Sequence, residues 1–189
     1  MVISEEKALL RKRIRAERRE LSEEVRAASA MAVAERIMGI PSIVGAEYIL
    51  AYMPMKYELD ILPAVERLKA AGVKVAFPLC IENGGLKLFV PADENGFVTG
   101  AYGILEPNTE TASEIDASAL GAIILPAIGF DRRGRRLGQG GGYYDRLLSK
   151  TACFTAAVGF DCQLVESVPI EACDRPVDIV VTPSELIVP

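Results

Sequence analysis

Residues 121–126 read GAIILP, a strand-length run without a polar side chain, and residues 127–150 continue as AIGFDRRGRRLGQGGGYYDRLLSK, a glycine-rich loop leading into a helix-forming segment. A short apolar run bounded by turn signals fits a strand buried on both faces. Comparable runs lie on either side: EYILAY at 47–52, VKVAFP at 73–78, LKLFV at 86–90, FTAAVGF at 154–160 and DIVVT at 178–182. Loops or helical patterns such as ILPAVERLKAAG (61–72) separate them. This alternation predicts an α/β fold, a three-layer single domain over residues 1–189 with a mostly parallel central sheet. Open parallel sheets bind ligands beyond the carboxyl ends of their strands, so the loops after AYMP (51–54), AFPL (76–79) and IILP (123–126) are the expected site.

Two helices are expected ahead of the sheet. Residues 5–20 are rich in helix formers, with Leu10 and Ile14 on one side and Lys7, Arg11, Arg15 and Arg18 recurring at helical spacing on another. A solvated basic face is the plainest reading of that pattern. Ser22, followed by Glu23 and Glu24, starts a second amphipathic stretch from Val25 to Met38 that stops at Gly39 and Pro41. The stretch 91–113, with ENG, Gly100, Gly103 and Pro107, reads as a long polar connection with short irregular structure.

A chain of 189 residues, 50% hydrophobic and 25% charged, has length for one sizeable core. It contains no histidine, which excludes Ser-His-Asp and Cys-His catalysis, zinc-hydrolase motifs and imidazole proton shuttles. Chemistry must then rest on carboxylates, Lys, Arg, Tyr, backbone dipoles or a bound metal. The net charge of −5 opposes a general polyanion binder, yet seven of the 21 basic residues crowd between Lys7 and Arg19. Cys80, Cys153, Cys162 and Cys173 form no C-x-x-C pair and are expected to be small, partly buried side chains of a reducing compartment. No run of about 20 apolar residues is present, so no membrane partner is expected and a cytoplasmic location is the default.

In the loop, Gly138, Gly140, Gly141 and Gly142 precede an expected helix containing Asp145, Arg146, Leu147 and Leu148. Glycines before a helix N-terminus let backbone N–H groups close on an oxyanion, and the helix dipole favours negative charge there. On this reading Arg135 and Arg136 clamp phosphate oxygens and Asp145 faces a magnesium ion on the same phosphates. The alternative is a flexible glycine loop with solvated arginines. The segment matches neither G-x-x-x-x-G-K-[ST] nor G-x-G-x-x-G.

The segment LPAIGFDRRGRRLGQGGGYYDRLL (125–148) resembles the signature of the 5-formyltetrahydrofolate cyclo-ligase family, also called 5,10-methenyltetrahydrofolate synthetases. The resemblance extends to Lys7 and Arg11, to Met53–Glu58, to GILEP (103–107) and to PIEACDRPVDIVVT (169–182), so it spans nearly the whole chain in order. It implies a fold related to sugar-phosphate isomerases and CoA transferases. It also implies ATP-dependent closure of 5-formyltetrahydrofolate to 5,10-methenyltetrahydrofolate, with Mg2+ and ATP, in a protein expected to be monomeric. Carried over by position, Lys7 and Arg11 hold ATP phosphates, and Arg136, Leu137, Gly138, Gln139, Gly140, Gly141, Gly142, Tyr143 and Tyr144 wrap the nucleotide. Arg136 is the expected catalytic residue. Met53 and Glu58, with Gln139 and the Gly140–Tyr143 stretch, line the folate pocket, and Asp145 and Asp174 serve the metal.

Two positions depart from the pattern: Cys173 stands where many bacterial members have histidine, and Gln139 where an aromatic or basic residue is common. The α/β pattern alone also admits a diverged paralogue with isomerase- or transferase-like chemistry or simple nucleotide binding. A nucleic-acid-binding reading of the basic helix is opposed by the acidic net charge and the lack of basic-aromatic interleaving, so no nucleic-acid partner is expected.

Overall fold

The computed structural model describes residues 3–81, 84–93, 95–100, 103–171 and 174–189. In chain order the helices are α1 (Ile3–Arg19), α2 (Glu23–Met38), α3 (Pro41–Val44), α4 (Leu62–Ala70) and α5 (Tyr143–Leu148). The strands are β1 (Tyr48–Leu50), β2 (Lys74–Cys80), β3 (Leu86–Val90), β4 (Phe97–Thr99), β5 (Leu105–Pro107), β6 (Ser113–Ile115) and β7 (Leu120–Pro126), then β8 (Gly129–Asp131), β9 (Arg136–Leu137), β10 (Phe154–Val158), β11 (Leu164–Val165), β12 (Ile179–Val181) and β13 (Leu186–Ile187).

The main sheet has eight strands in the order β13-β12-β10-β7-β1-β2-β3-β6. Its centre, from β12 to β2, is parallel, and both margins are antiparallel. LKLFV runs antiparallel to β2, because the connection at 81–85 is far too short for a crossover. The pairing register explains why the central strands carry no polar face. Ile49, Val75, Ala122, Ile124, Ala156 and Ile179 line up on the side packed by α2, α3 and α4. Leu50, Ala76, Ile123, Leu125, Ala157 and Val180 alternate with them on the other side, beneath Leu147 and Leu148 of α5. Burial of both registers produces the three layers.

The start of α2 is capped as expected, Ser22 accepting a hydrogen bond from the Val25 N–H. The stretch 91–113 contains more regular structure than a polar connection suggests, since β4 and β5 form an antiparallel hairpin. A smaller sheet, β11-β8-β9, stands beyond the main one and receives α1. There Ile14 is fully buried against Ile128, Leu137 and Val168. Gly129 makes this close approach possible, because a Cβ at that position would lie 2.6 Å from Ile14 Cδ1.

The β8–β9 turn is organised by Asp131, which is fully buried. Its Oδ1 accepts from the N–H groups of Arg133 (2.9 Å) and Arg135 (3.2 Å), and its Oδ2 from Arg135 Nε (2.6 Å) and the Val168 N–H (2.8 Å). Removing a buried carboxylate strands its donors. Asp131→Ala is expected to cost about 3–5 kcal/mol, measured as the shift of the urea unfolding midpoint at constant slope; a loss under about 1 kcal/mol would deny Asp131 this role.

Candidate active site

The loops after β1, β2 and β7 do converge, on a cavity of about 220 Å³. β1 contributes Tyr52, Met53, Met55 and Glu58; β2 contributes Pro78 and Cys80; β7 contributes Pro126 and Ala127. The glycine loop closes it with Gly138, Gln139 and Gly140–Tyr143, and Arg136, Tyr144 and Asp145 complete that wall. Sequence reasoning missed Ile104, Leu105 and Glu106, which the β4–β5 hairpin brings to the cavity. The GILEP match was the signal for them. Cys80 was expected to be partly buried but is exposed at this site; Cys153 and Cys162 are half-buried as anticipated.

Arg136 has only 5% of its side chain exposed. It donates to the Pro126 carbonyl (3.2 Å) and to Asp145 Oδ1 (2.9 Å), and its guanidinium lies 5.8 Å from the Tyr144 ring centre. These contacts use two of five N–H donors and leave the rest for a ligand. Burial raises the pKa of the Tyr144 hydroxyl far above its ordinary value, against the influence of Arg136, so that hydroxyl stays protonated. Arg135, expected to clamp phosphate, does not reach the cavity. It is spent on Asp131 and on Ser167 Oγ (3.1 Å), because the buried Asp131 requires a cation beside it.

Loop conformation depends on glycine at two positions, Gly140 (φ 109°) and Gly142 (φ 67°), the latter opening α5. That helix is six residues long, so its dipole contributes less than the sequence suggested. Positive potential comes instead from side chains. Arg11 Nε donates to Gly138 O (2.9 Å), and its guanidinium flanks Gly140, 3.7 Å from where a Cβ would stand. Leu137 turns into the core beside Ile14, which limits it to backbone contact with any ligand.

Glu58 and Gln139 meet across the cavity mouth. Glu58 Oε1 accepts from Gln139 Nε2 (3.0 Å), Glu58 Oε2 accepts from the Met55 N–H (3.1 Å), and Gln139 Oε1 accepts from Arg15 (2.6 Å). Gln139, a departure from the common pattern, thus ties the glycine loop to both the β1 loop and α1. Tyr143 lines the cavity with Arg146 stacked 5.2 Å from its ring centre.

Lys7, Arg11 and Asp174 lie outside the cavity wall; Arg11 touches the glycine loop, and Lys7 and Asp174 meet each other. Lys7 Nζ donates to Asp174 (2.6 Å) and Glu171 (2.8 Å), leaving one donor. Asp174 also accepts from the Glu171 N–H (2.8 Å). Cys173 lies outside the described residues. Among those residues no group of three or more metal-ligating side chains occurs. Asp145 Oδ2 and Asp174 Oδ1 nevertheless accept no hydrogen bond there, so each carboxylate keeps one oxygen for a cation.

Fold and site together define an α/β protein with a cation-flanked glycine loop bordering a largely apolar cavity. The profile of the 5-formyltetrahydrofolate cyclo-ligase family matches residues 3–183, and the chain belongs to that family. It is 35% identical over 178 residues to the 5-formyltetrahydrofolate cyclo-ligase of Escherichia coli K12, covering 92% of this chain and 98% of that one. Against the Mycolicibacterium smegmatis cyclo-ligase the identity is 28% over 194 residues, covering 96% of each. The solved structure of Aquifex aeolicus 5,10-methenyltetrahydrofolate synthetase superposes with a TM-score of 0.85 at 30% identity, over 96% of this chain and 92% of that one. No helix among the described residues is long and apolar enough to cross a membrane.

The Lys7–Asp174 contact has a pH signature. Burial opposes the charge on Asp174, but the bonds from Lys7 and the Glu171 N–H outweigh it and hold the pKa below its ordinary 3.8. Burial likewise opposes the charge on Lys7, and its two carboxylate partners raise it above 10.5. The Asp174 contribution is therefore present above its ordinary value and lost as pH falls through the depressed one; that of Lys7 is present below 10.5 and lost as pH rises through the raised one. Hydrogen exchange of residues 3–19, corrected for intrinsic rates, is expected to lose protection below about pH 4, and Asp174→Asn to remove that step. An acid step of equal size in the variant would assign it elsewhere.

Proposed function

We propose that residues 1–189 act as one domain that closes 5-formyltetrahydrofolate to 5,10-methenyltetrahydrofolate at the expense of ATP, releasing ADP and phosphate. The observation that carries this reading is the two-sided glycine loop. One side walls an apolar cavity suited to a flat heterocycle, and Arg11 and Lys7 approach from α1 with unspent donors suited to a polyphosphate. Glu58 and Glu106 supply carboxylates at the cavity for pterin N–H groups.

An N-formyl oxygen is a poor leaving group, since direct attack by N10 would expel oxide or hydroxide. In the proposed sequence the formyl oxygen attacks the γ-phosphorus, the bond to ADP breaks, and N10 adds to the activated carbon. N10 then loses its proton, and the C–O bond breaks as phosphate departs. Positioning and charge neutralisation are the tasks left to the protein, which suits a site without histidine. Arg136, already fixed by Pro126 O and Asp145, directs its remaining donors at the phosphoryl oxygens without reorganising. Asp145 and Asp174 are the residues that would hold magnesium, which when bound neutralises phosphate charge. Gly138–Gly142 let the backbone approach, and Met53 and Tyr143 bound the ring site.

The direct test is an anaerobic assay with 5-formyltetrahydrofolate and Mg-ATP that follows methenyl absorbance and ADP together. Coupled appearance of both products is expected; ADP release without methenyl product would leave only an ATPase. Arg136→Ala is expected to lower kcat about 10²- to 10³-fold, and an unchanged kcat removes Arg136 from the chemistry. Glu58→Gln is expected to raise KM for the folate about tenfold with little change for ATP; equal losses for both ligands count against its placement at the ring.

A further inference from the structure

Arg146 lies on α5, whose buried side chains are Leu147 and Leu148. It is an exposed residue, yet its side chain is tied down on three sides. Its Nε donates to the Gly84 carbonyl (2.8 Å), its Nη2 donates to the Gly141 carbonyl (2.7 Å), and its guanidinium stacks 5.2 Å from the Tyr143 ring centre. It forms no ion pair with a carboxylate among the described residues. The planar fork of this arginine is spent on two backbone carbonyls and a ring, a set of contacts that needs its shape as well as its charge.

The backbone is shaped to receive that fork. Gly84 (φ 75°) and Gly142 (φ 67°) flank the guanidinium: a Cβ at Gly84 would stand 2.7 Å from Nη2, and one at Gly142 2.7 Å from Nη1. Only glycine gives both the left-handed backbone and the room. The Tyr143 ring in turn packs on Gly141, where a Cβ would lie 2.8 Å from its Cδ2 and Cε2. Arg146 is absent from the cavity wall, whereas Gly141, Gly142 and Tyr143 line it, as do Cys80 and Leu86 on either side of Gly84. Arg146 therefore joins two walls of the cavity, reaching a carbonyl 62 positions away in the chain.

A planar trans peptide sets its N–H opposite its C=O, so holding the Gly141 carbonyl on Arg146 turns the Gly142 N–H away from Arg146. Gly140–Gly142 have no intrinsic preference for that arrangement, and ordering them only when a ligand arrives would cost affinity. We propose that Arg146 is a positioning residue for the folate ring site: without touching the substrate, it staples the glycine loop to the β2–β3 connection, so that the Gly141–Gly142 peptide and the Tyr143 ring stand in place before folate enters. The assignment rests on the function proposed above. Its effect falls on the folate more than on ATP, because α1 reaches the loop nearer its other end, through Arg11 at Gly138.

The test uses the full-length protein and its Arg146→Gln, Arg146→Lys, Gly84→Ala and Arg146→Gln/Gly84→Ala variants in the coupled methenyl and ADP assay, with hydrogen exchange of residues 138–144 in the ligand-free state. The Arg146 side chain lies outside the core, so its replacement leaves the protein folded. Arg146→Gln is expected to raise KM for 5-formyltetrahydrofolate about tenfold, to change kcat and KM for ATP by no more than about twofold, and to speed exchange across the loop. Arg146→Lys should fare no better, since one ammonium cannot serve two diverging carbonyls and a ring together. Gly84→Ala crowds the guanidinium from outside the cavity; it should reproduce the rise in KM on its own and add nothing in the Arg146→Gln background. Full recovery by lysine would make the residue a charge and not a staple. Additive effects of the two substitutions, an unchanged KM for the folate, unchanged loop exchange, or an equal rise in KM for ATP likewise overturns the assignment while the ligase reading stands. No methenyl product from the unaltered protein overturns that reading and the assignment with it.

Discussion

The seating of Ile14 in the β8–β9–β11 sheet is the contact on which the arrangement of the site depends. α1 is a heavily charged helix with little apolar surface, and Ile14 is its fully buried anchor. Once that side chain is lodged above Gly129, helical geometry fixes the rest: Arg11 falls at Gly138, Arg15 at Gln139, and Lys7 at Glu171 and Asp174. A helix that shifted by one residue would turn these cations away by about 100°. The polar contacts follow from the apolar one, because exposed ion pairs are individually too weak to hold a helix in place.

The central strands were legible because both of their faces are buried, and such strands show as apolar runs at any register. Ser22 and Gly39 marked α2 for local reasons, since helix ends must satisfy their own backbone groups. The antiparallel margins were less legible. An apolar run does not state its direction, and the shortness of the β2–β3 connection becomes decisive only when the strand ends are known.

For the site, residue chemistry and the family signature together located the glycine loop, Arg136, Asp145 and Glu58, and the structure gathers them at one cavity. Partner choice was what sequence could not supply. Arg135 and Arg136 are adjacent in an identical basic context, yet the pleat sends one to a buried aspartate and the other to the cavity. Ile104, Leu105 and Glu106 lie in a connection whose polar composition hides a hairpin, so their place depends on folding contacts made far away in the chain. Gln139 was noticed as a departure, but its two simultaneous partners come from segments more than 80 positions away.

These contacts give the basic N-terminal helix a single physical logic. From Lys7 to Arg19 it spans about 18 Å, and its cations meet different surroundings along that length. At the start, carboxylates hold Lys7 and lower the cost of keeping it poised; farther along, Arg11 lies against the loop backbone; at the end, Arg18 and Arg19 stand beside a cleft and form no ion pair among the described residues. The net charge of the chain conceals this gradient, because most of the 26 acidic residues lie outside α1. A protein without histidine has little to offer a reaction by way of proton transfer near neutral pH. It can, however, hold fixed positive charge, and α1 carries Arg11 and Arg15 to the glycine loop.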